Sequence, residues 1–166
     1  MGRVVPFVAL LSGAFGLAGC GTDPAQDCLG EGFCDVGCGS DCELVCADFD
    51  SCDATCGELC TVDCTSGTAC RAGCGDDCAV LCSSVSDCDT DCGAGCDYLC
   101  EDASRCTPKV GDGSEVLCRR VSDCDVTCTG SCLVECESTG KCTVSCPGGA
   151  SPTTCADGRL ACGPCP

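Results

Sequence analysis

The chain carries 29 cysteines in 166 residues, and thiols and carboxylates are its only plentiful reactive groups. A thiol can close a disulfide, ligate a soft metal, or exchange with another disulfide. The spacing bears on the choice. From Cys34 the gaps run 4, 4, 4, 6 and then repeat, an 18-residue period. The series is Cys34, Cys38, Cys42, Cys46; Cys52, Cys56, Cys60, Cys64; Cys70, Cys74, Cys78, Cys82; Cys88, Cys92, Cys96, Cys100. A fifth unit keeps Cys106 and Cys118 but has Val110 and Ser114 at its two middle places. The sixth is complete (Cys124, Cys128, Cys132, Cys136), and the seventh opens with Cys142 and Cys146 before the pattern decays. A fixed period of this length marks a solenoid or a similar array.

Several kinds of chemistry are excluded by residue type. The chain has no histidine, which removes Ser-His and Cys-His nucleophile pairs and mixed Cys/His zinc sites. No glycine-rich phosphate loop stands between a strand and a helix. Paired carboxylates abound, but nothing places two of them in a desolvated cleft. The expectation is a non-catalytic protein with no cofactor.

The N-terminus addresses the chain. Arg3 precedes an apolar stretch from Val4 to Leu17, which reads as a secretory signal and is too short for a membrane span. It ends in Leu17-Ala18-Gly19-Cys20, a tetrapeptide that resembles the lipobox of bacterial lipoproteins. The resemblance implies cleavage before Cys20, acylation of Cys20, and anchoring in the bacterial envelope. Gly21 after the cysteine implies the outer membrane. Export places the thiols where disulfides persist, and setting Cys20 aside leaves 28, an even number. The expected divisions are a signal peptide over 1–19, a lipidated cysteine and tether over 20–27, a repeat domain over 28–146, and a disulfide-closed tail over 147–166.

From Cys20 onward there are 26 acidic and 7 basic residues, a net charge of −19. Nucleic acid is a poor partner for such a field, and cations or basic surfaces are better ones. The expected partners are the membrane through the lipid anchor, an unidentified protein or surface, and divalent cations. Only Phe33, Phe49 and Tyr98 supply aromatic rings after the signal, so disulfides must take the place of an ordinary core.

The elements follow from the spacing. Paired cysteines frame the pattern Cys-x-apolar-x-Cys, with Val36, Leu44, Ala54, Val62, Ala72, Val80, Thr90, Tyr98, Val116, Val126, Val134 or Val144 at the centre. On a strand, alternate residues share a face. Each arm therefore points Cys, apolar and Cys inward, and residues such as Asp35, Glu43, Asp63, Asp89 and Asp125 outward. Three-residue links that often open with glycine (Gly39, Gly57, Gly75, Gly93, Gly111) alternate with five-residue polar links such as 83–87; both are turn chemistry. The predicted fold is all-β, a narrow disulfide-stapled β-solenoid of about seven coils, stacked ~4.8 Å apart into a rod of about 30 Å. The alternative is an irregular disulfide-rich or short-helix array, because 18 residues also make about five α-helical turns. In plan, a small coil filled by cystines resembles the solenoids of insect antifreeze proteins. This chain lacks their Thr-Cys-Thr ladders, so ice binding is not implied.

Val110 and Ser114 replace two cysteines together, which suggests that their counterparts pair across the short turn. That gives Cys38–Cys42, Cys56–Cys60, Cys74–Cys78, Cys92–Cys96 and Cys128–Cys132. The outer cysteines can pair within a coil, as Cys34–Cys46, or across the longer turn. The second choice also uses Cys28: Cys28–Cys34, Cys46–Cys52, Cys64–Cys70, Cys82–Cys88, Cys100–Cys106, Cys118–Cys124 and Cys136–Cys142. Cys146–Cys155 and Cys162–Cys165 complete the scheme. Each bond would contribute about 2 kcal/mol by the chain-entropy argument.

Two rival chemistries remain. Cys162-Gly163-Pro164-Cys165 resembles the active-site tetrapeptide of the thioredoxin family, which implies thiol–disulfide exchange; only Pro166 follows it, so the helix that activates such a thiol has no room. The other rival is cation binding. Thiols can hold soft metal, as in metallothioneins, although those favour Cys-x-Cys pairs. Asp35, Asp53, Asp89 and Asp125 recur at one arm position and are candidate calcium ligands, interrupted by Arg71, Thr107 and Thr143.

Overall fold

The structure, a computed structural model, describes residues 25–30 and 32–166. The signal segment, Cys20 and Gly21 lie outside the described residues. The chain forms fourteen strands: β1 (Ala25–Leu29), β2 (Phe33–Gly37), β3 (Glu43–Ala47), β4 (Ser51–Thr55), β5 (Thr61–Cys74), β6 (Ala79–Cys92), β7 (Asp97–Glu101), β8 (Arg105–Val110), β9 (Ser114–Arg119), β10 (Asp123–Cys128), β11 (Cys132–Glu137), β12 (Lys141–Ser145), β13 (Thr153–Thr154) and β14 (Leu160–Cys162).

They coil as two facing parallel stacks. One stack runs β1, β3, the first half of β5, the first half of β6, β7, β9 and β11; the other runs β2, β4, the second halves of β5 and β6, β8, β10 and β12. Strands β5 and β6 pass through the longer turn without a break and so belong to both. Every rung joins residues 18 apart, as in Cys46 to Cys64, Cys64 to Cys82 and Cys100 to Cys118. This is the β-solenoid of about seven coils that the spacing predicts. Among the described residues the only helical segment is a single 3₁₀ turn at Pro147–Gly149, so the short-helix alternative falls. Strand β1 already pairs with β3 from Ala25, and the coil therefore begins inside the stretch expected to be tether.

Alternation places the core. Leu44, Val62, Val80, Tyr98, Val116 and Val134 from one stack face Ala54, Ala72, Thr90, Val126 and Val144 from the other, all buried. The one tyrosine lies in the same coil as Thr90, and its hydroxyl donates to Cys88 Sγ at 3.1 Å. A third inward column runs through the longer turns, where Phe49, Val85, Ala103 and Val121 are buried. Phe49 lies over Gly67, where a Cβ would stand 2.3 Å from the ring.

The corners have a period of their own. In the longer turns Gly30, Asp48, Ser66, Ser84, Asp102, Arg120 and Ser138 have φ between 52° and 66°; in the short turns Asp41, Leu59, Asp77, Gly95 and Gly113 have φ between 55° and 75°. Each of the first five coils thus turns on two left-handed residues, a conformation that Gly, Asp and Asn tolerate best, whereas the short turn at 129–131 has none. From Gly57 to Gly111 the short turns also stack too closely for side chains at their first position. A Cβ on Gly111 would meet the Gly93 carbonyl oxygen at 2.5 Å. The backbone there forms its own ladder, Gly75 N–H to Gly57 O at 2.9 Å, Gly93 N–H to Gly75 O at 3.0 Å and Gly111 N–H to Gly93 O at 2.8 Å.

The C-terminal end is closed differently. β14 runs antiparallel to β11, with Cys132 opposite Cys162, and β13 adds to β14. This hairpin covers what would otherwise be an exposed edge of the first stack.

Candidate functional site: a block of stacked thiols

Nine disulfides run between neighbouring cysteines in sequence. Seven span the longer turn: Cys28–Cys34, Cys46–Cys52, Cys64–Cys70, Cys82–Cys88, Cys100–Cys106, Cys118–Cys124 and Cys136–Cys142. Two span a short turn, Cys38–Cys42 and Cys128–Cys132. Their Cα separations, 6.0 to 6.6 Å, lie in the range a disulfide accepts.

Two parts of the sequential pairing scheme are corrected. In the tail the bonds are Cys146–Cys162 and Cys155–Cys165, not Cys146–Cys155 and Cys162–Cys165. The antiparallel return of β14 carries Cys162 back beside the last coil, and the sequence gives no period from which to foresee that return. Cys162 and Cys165 are consequently partners of other residues, which removes the pair on which the thioredoxin-like reading depended.

The second correction is larger. Cys56–Cys60, Cys74–Cys78 and Cys92–Cys96 are not bonded, and these six are the free cysteines among the described residues. Two close sulfur contacts run along the stack. Cys56 Sγ lies 3.1 Å from Cys74 Sγ, and Cys60 Sγ lies 3.1 Å from Cys42 Sγ. The Sγ atoms of Cys56, Cys60 and Cys78 all lie within 4.8 Å of one another, and all three residues are buried.

The glycine ladder positions the second column of this block. Cys60 Sγ reaches Gly39 O at 3.2 Å, Cys78 Sγ reaches Gly57 O at 3.2 Å and Cys96 Sγ reaches Gly75 O at 3.5 Å. Ser114 continues the series one coil further on: its Oγ reaches Gly93 O at 3.5 Å and accepts from Cys96 N–H at 3.1 Å, as Cys78 Sγ accepts from Cys60 N–H at 3.4 Å. Val110, fully buried, fills the matching place in the first column. The free thiols are therefore a bounded block. The Cys38–Cys42 cystine lies at one end and Val110 with Ser114 at the other.

Hydrogen bonding and burial keep most of this block protonated. The hydrogen bond to Cys74, then burial, pushes the Cys56 thiol far above its ordinary range. Burial leads the rise at Cys60 and Cys78. The bonds that Cys74 receives from Cys56, and Cys92 from Cys74, act downward. The bond each makes to the next sulfur, together with burial, outweighs that, and both thiols lie above the usual range. Cys96, last in the run, is held below it by its bond with Cys92.

The acidic candidates are differently placed. Asp35 stacks on Asp53, but Arg71 follows and pairs with Asp53 at 3.4 Å. Thr107 donates to Asp89 at 3.2 Å, and Asp125 stacks against Thr143. Every group of three or more close ligand atoms among the described residues is made of cysteines alone. The basic residues are spent in the same way. Arg105 pairs with Asp87 at 2.7 Å, Lys109 with Asp91 at 2.7 Å, Arg120 with Asp102 at 2.7 Å, Lys141 with Asp123 at 3.6 Å, and Arg119 with Glu101, each one coil back. Arg159 pairs with Asp157. Between Cys20 and Cys70 there are eleven acidic residues and no basic one.

The outer face of the first stack carries one apolar groove of ≈ 400 Å³, in which Leu81, Leu99 and Leu117 stack in register beside Asp97, Glu115 and Arg159. No protein-family model, curated protein or solved structure matches this chain.

Proposed function

We propose that this chain is a lipid-anchored repeat protein of the bacterial envelope, with a structural or binding role and no catalytic one. The observation that carries the reading is the lipobox-like Leu17-Ala18-Gly19-Cys20, which stands only a few residues before the first strand at Ala25. A short link of this kind would hold the rod close to its bilayer, since each residue spans at most about 3.5 Å. Acylation at Cys20 would supply the anchor, each buried methylene contributing about 0.8 kcal/mol. The Gly21 that follows favours the outer membrane as its address.

The test is Cys20→Ser in the exporting cell. The native chain is expected in the membrane fraction after a high-salt wash and to incorporate labelled palmitate. The variant is expected in the soluble fraction without label. A variant that stays with the membrane after the wash although its signal segment has been removed would overturn the anchor.

A further inference from the structure

We propose that the six free cysteines of the short turns, Cys56, Cys60, Cys74, Cys78, Cys92 and Cys96, form a thiolate site for a soft cation, Cu(I) first among them.

The donor set carries the argument. It is all sulfur, with no histidine anywhere in the chain, and such sets select Cu(I) and zinc-like ions over calcium or magnesium. With a metal–sulfur bond near 2.3 Å, two ligands on one ion stand about 3.8 Å apart. Cys56, Cys60 and Cys78 already hold their sulfurs within 4.8 Å of each other, and Cys56 and Cys74 hold theirs at 3.1 Å. Small rotations of the side chains would bring these separations to the value that a shared ion sets. The site is bounded, as a site should be: a cystine lies on one side and the Val110 and Ser114 pair on the other. The bounds also show that its size is not set by the fold alone, because a short turn with the same left-handed third residue accepts a cystine at Cys38–Cys42.

Charge supports the same reading. The turns over the block carry exposed Asp41, Glu58, Asp76 and Asp77, and between Cys20 and Arg71 there is no basic residue. That field concentrates cations at the mouth of the site. Binding releases the thiol protons to solvent as metal–sulfur bonds form. The ion enters as Cu(I), so no electron is transferred. This inference does not rest on the lipid anchor, and neither result below depends on where the protein resides.

The experiment uses the exported full chain, purified without reductant and under anaerobic conditions, then unfolded in chelator and alkylated. Intact mass is expected to show six labelled thiols, or seven where Cys20 is present without its lipid, and peptide mapping to place six of them at the named cysteines. Three cystines at Cys56–Cys60, Cys74–Cys78 and Cys92–Cys96 in their place would overturn the proposal. Anaerobic addition of Cu(I) to the folded chain is then expected to raise a sulfur-to-copper absorption in the near ultraviolet that saturates at a fixed ratio, and to slow alkylation of the six at least tenfold. Free thiols without absorption or protection would overturn it. The double variant Cys60→Ser, Cys78→Ser is expected to keep the glycine-carbonyl contacts, as Ser114 does, and to lose most of the absorption. A variant that binds copper as the native chain does would overturn the assignment, and Cys28→Ser with Cys34→Ser, outside the block, is expected to bind normally.

Discussion

At the scale of single residues, the outer face of the first stack contains one misfit. Asp63 stacks between Val45 and Leu81, its Oδ1 is buried without a hydrogen-bond partner, and burial, then the charge of Glu43, raises its carboxyl above the ordinary range. A raised carboxyl favours the protonated form in the fold. The fold is therefore burdened above the folded value and relieved as pH falls through it. Asp63→Leu would extend the Leu81, Leu99, Leu117 column and remove the unpaired acceptor, a gain of about 1 kcal/mol or about 3 °C in Tm. Thermal unfolding at pH 7 should show that gain, and at pH 4 it should narrow, because the native carboxyl is by then becoming neutral. A variant that melts at or below the native temperature at pH 7 would contradict this account. Asp63 was readable in the sequence only as an outward acid; its cost comes from neighbours 18 residues away on either side.

At the scale of the elements, the corners decide how tightly coils stack. Leu59 is the large apolar residue among the left-handed corner positions, with φ 59° and its side chain 55% exposed. Left-handed backbone costs a residue with a Cβ about 1 kcal/mol, so Leu59→Gly should raise Tm by a few degrees. Gly111→Ala should do the opposite and more strongly, by about 2 kcal/mol or more, because its Cβ would meet the backbone of the coil before it. Chemical denaturation of the two variants checks both, and a stabilised Gly111→Ala would show that the ladder is looser than it looks. The strands, the inward faces and the turn positions were legible because the cysteine period fixes them. The buried column of Phe49, Val85, Ala103 and Val121 was legible too in principle, at the same 18-residue step, but the surrounding serines and aspartates made those links read as polar. The free thiols were not legible. Spacing gave Cys56–Cys60 the same standing as Cys38–Cys42, and only the stacked positions of the sulfurs separate them. The tail pairs were lost for a plainer reason, that a return strand leaves no periodic trace.

At the scale of the whole molecule, covalent and non-covalent cohesion run in different directions. Outside the tail, every disulfide closes a loop between cysteines only 4 or 6 residues apart, and so links one arm to the next around the coil. Among the described cysteines, the bond of longest reach is Cys146–Cys162 at the C-terminal end. Along the axis, coil is held to coil by ladder hydrogen bonds, buried side chains and the one-coil ion pairs, each of which contributes little at an exposed surface. A tensile load applied between the N-terminus and the last coil thus meets no cross-link that could bear it. The rod should yield like thread drawn from a spool, one winding at a time. Each winding would release about 45 Å of chain, against about 60 Å for a fully reduced one, because its long-turn cystine stays shut. Single-molecule pulling should record one step per winding, shorter where Cys38–Cys42 or Cys128–Cys132 also stays shut, and every step should lengthen after reduction, whereas one abrupt rupture of the entire rod would mean that the windings share load.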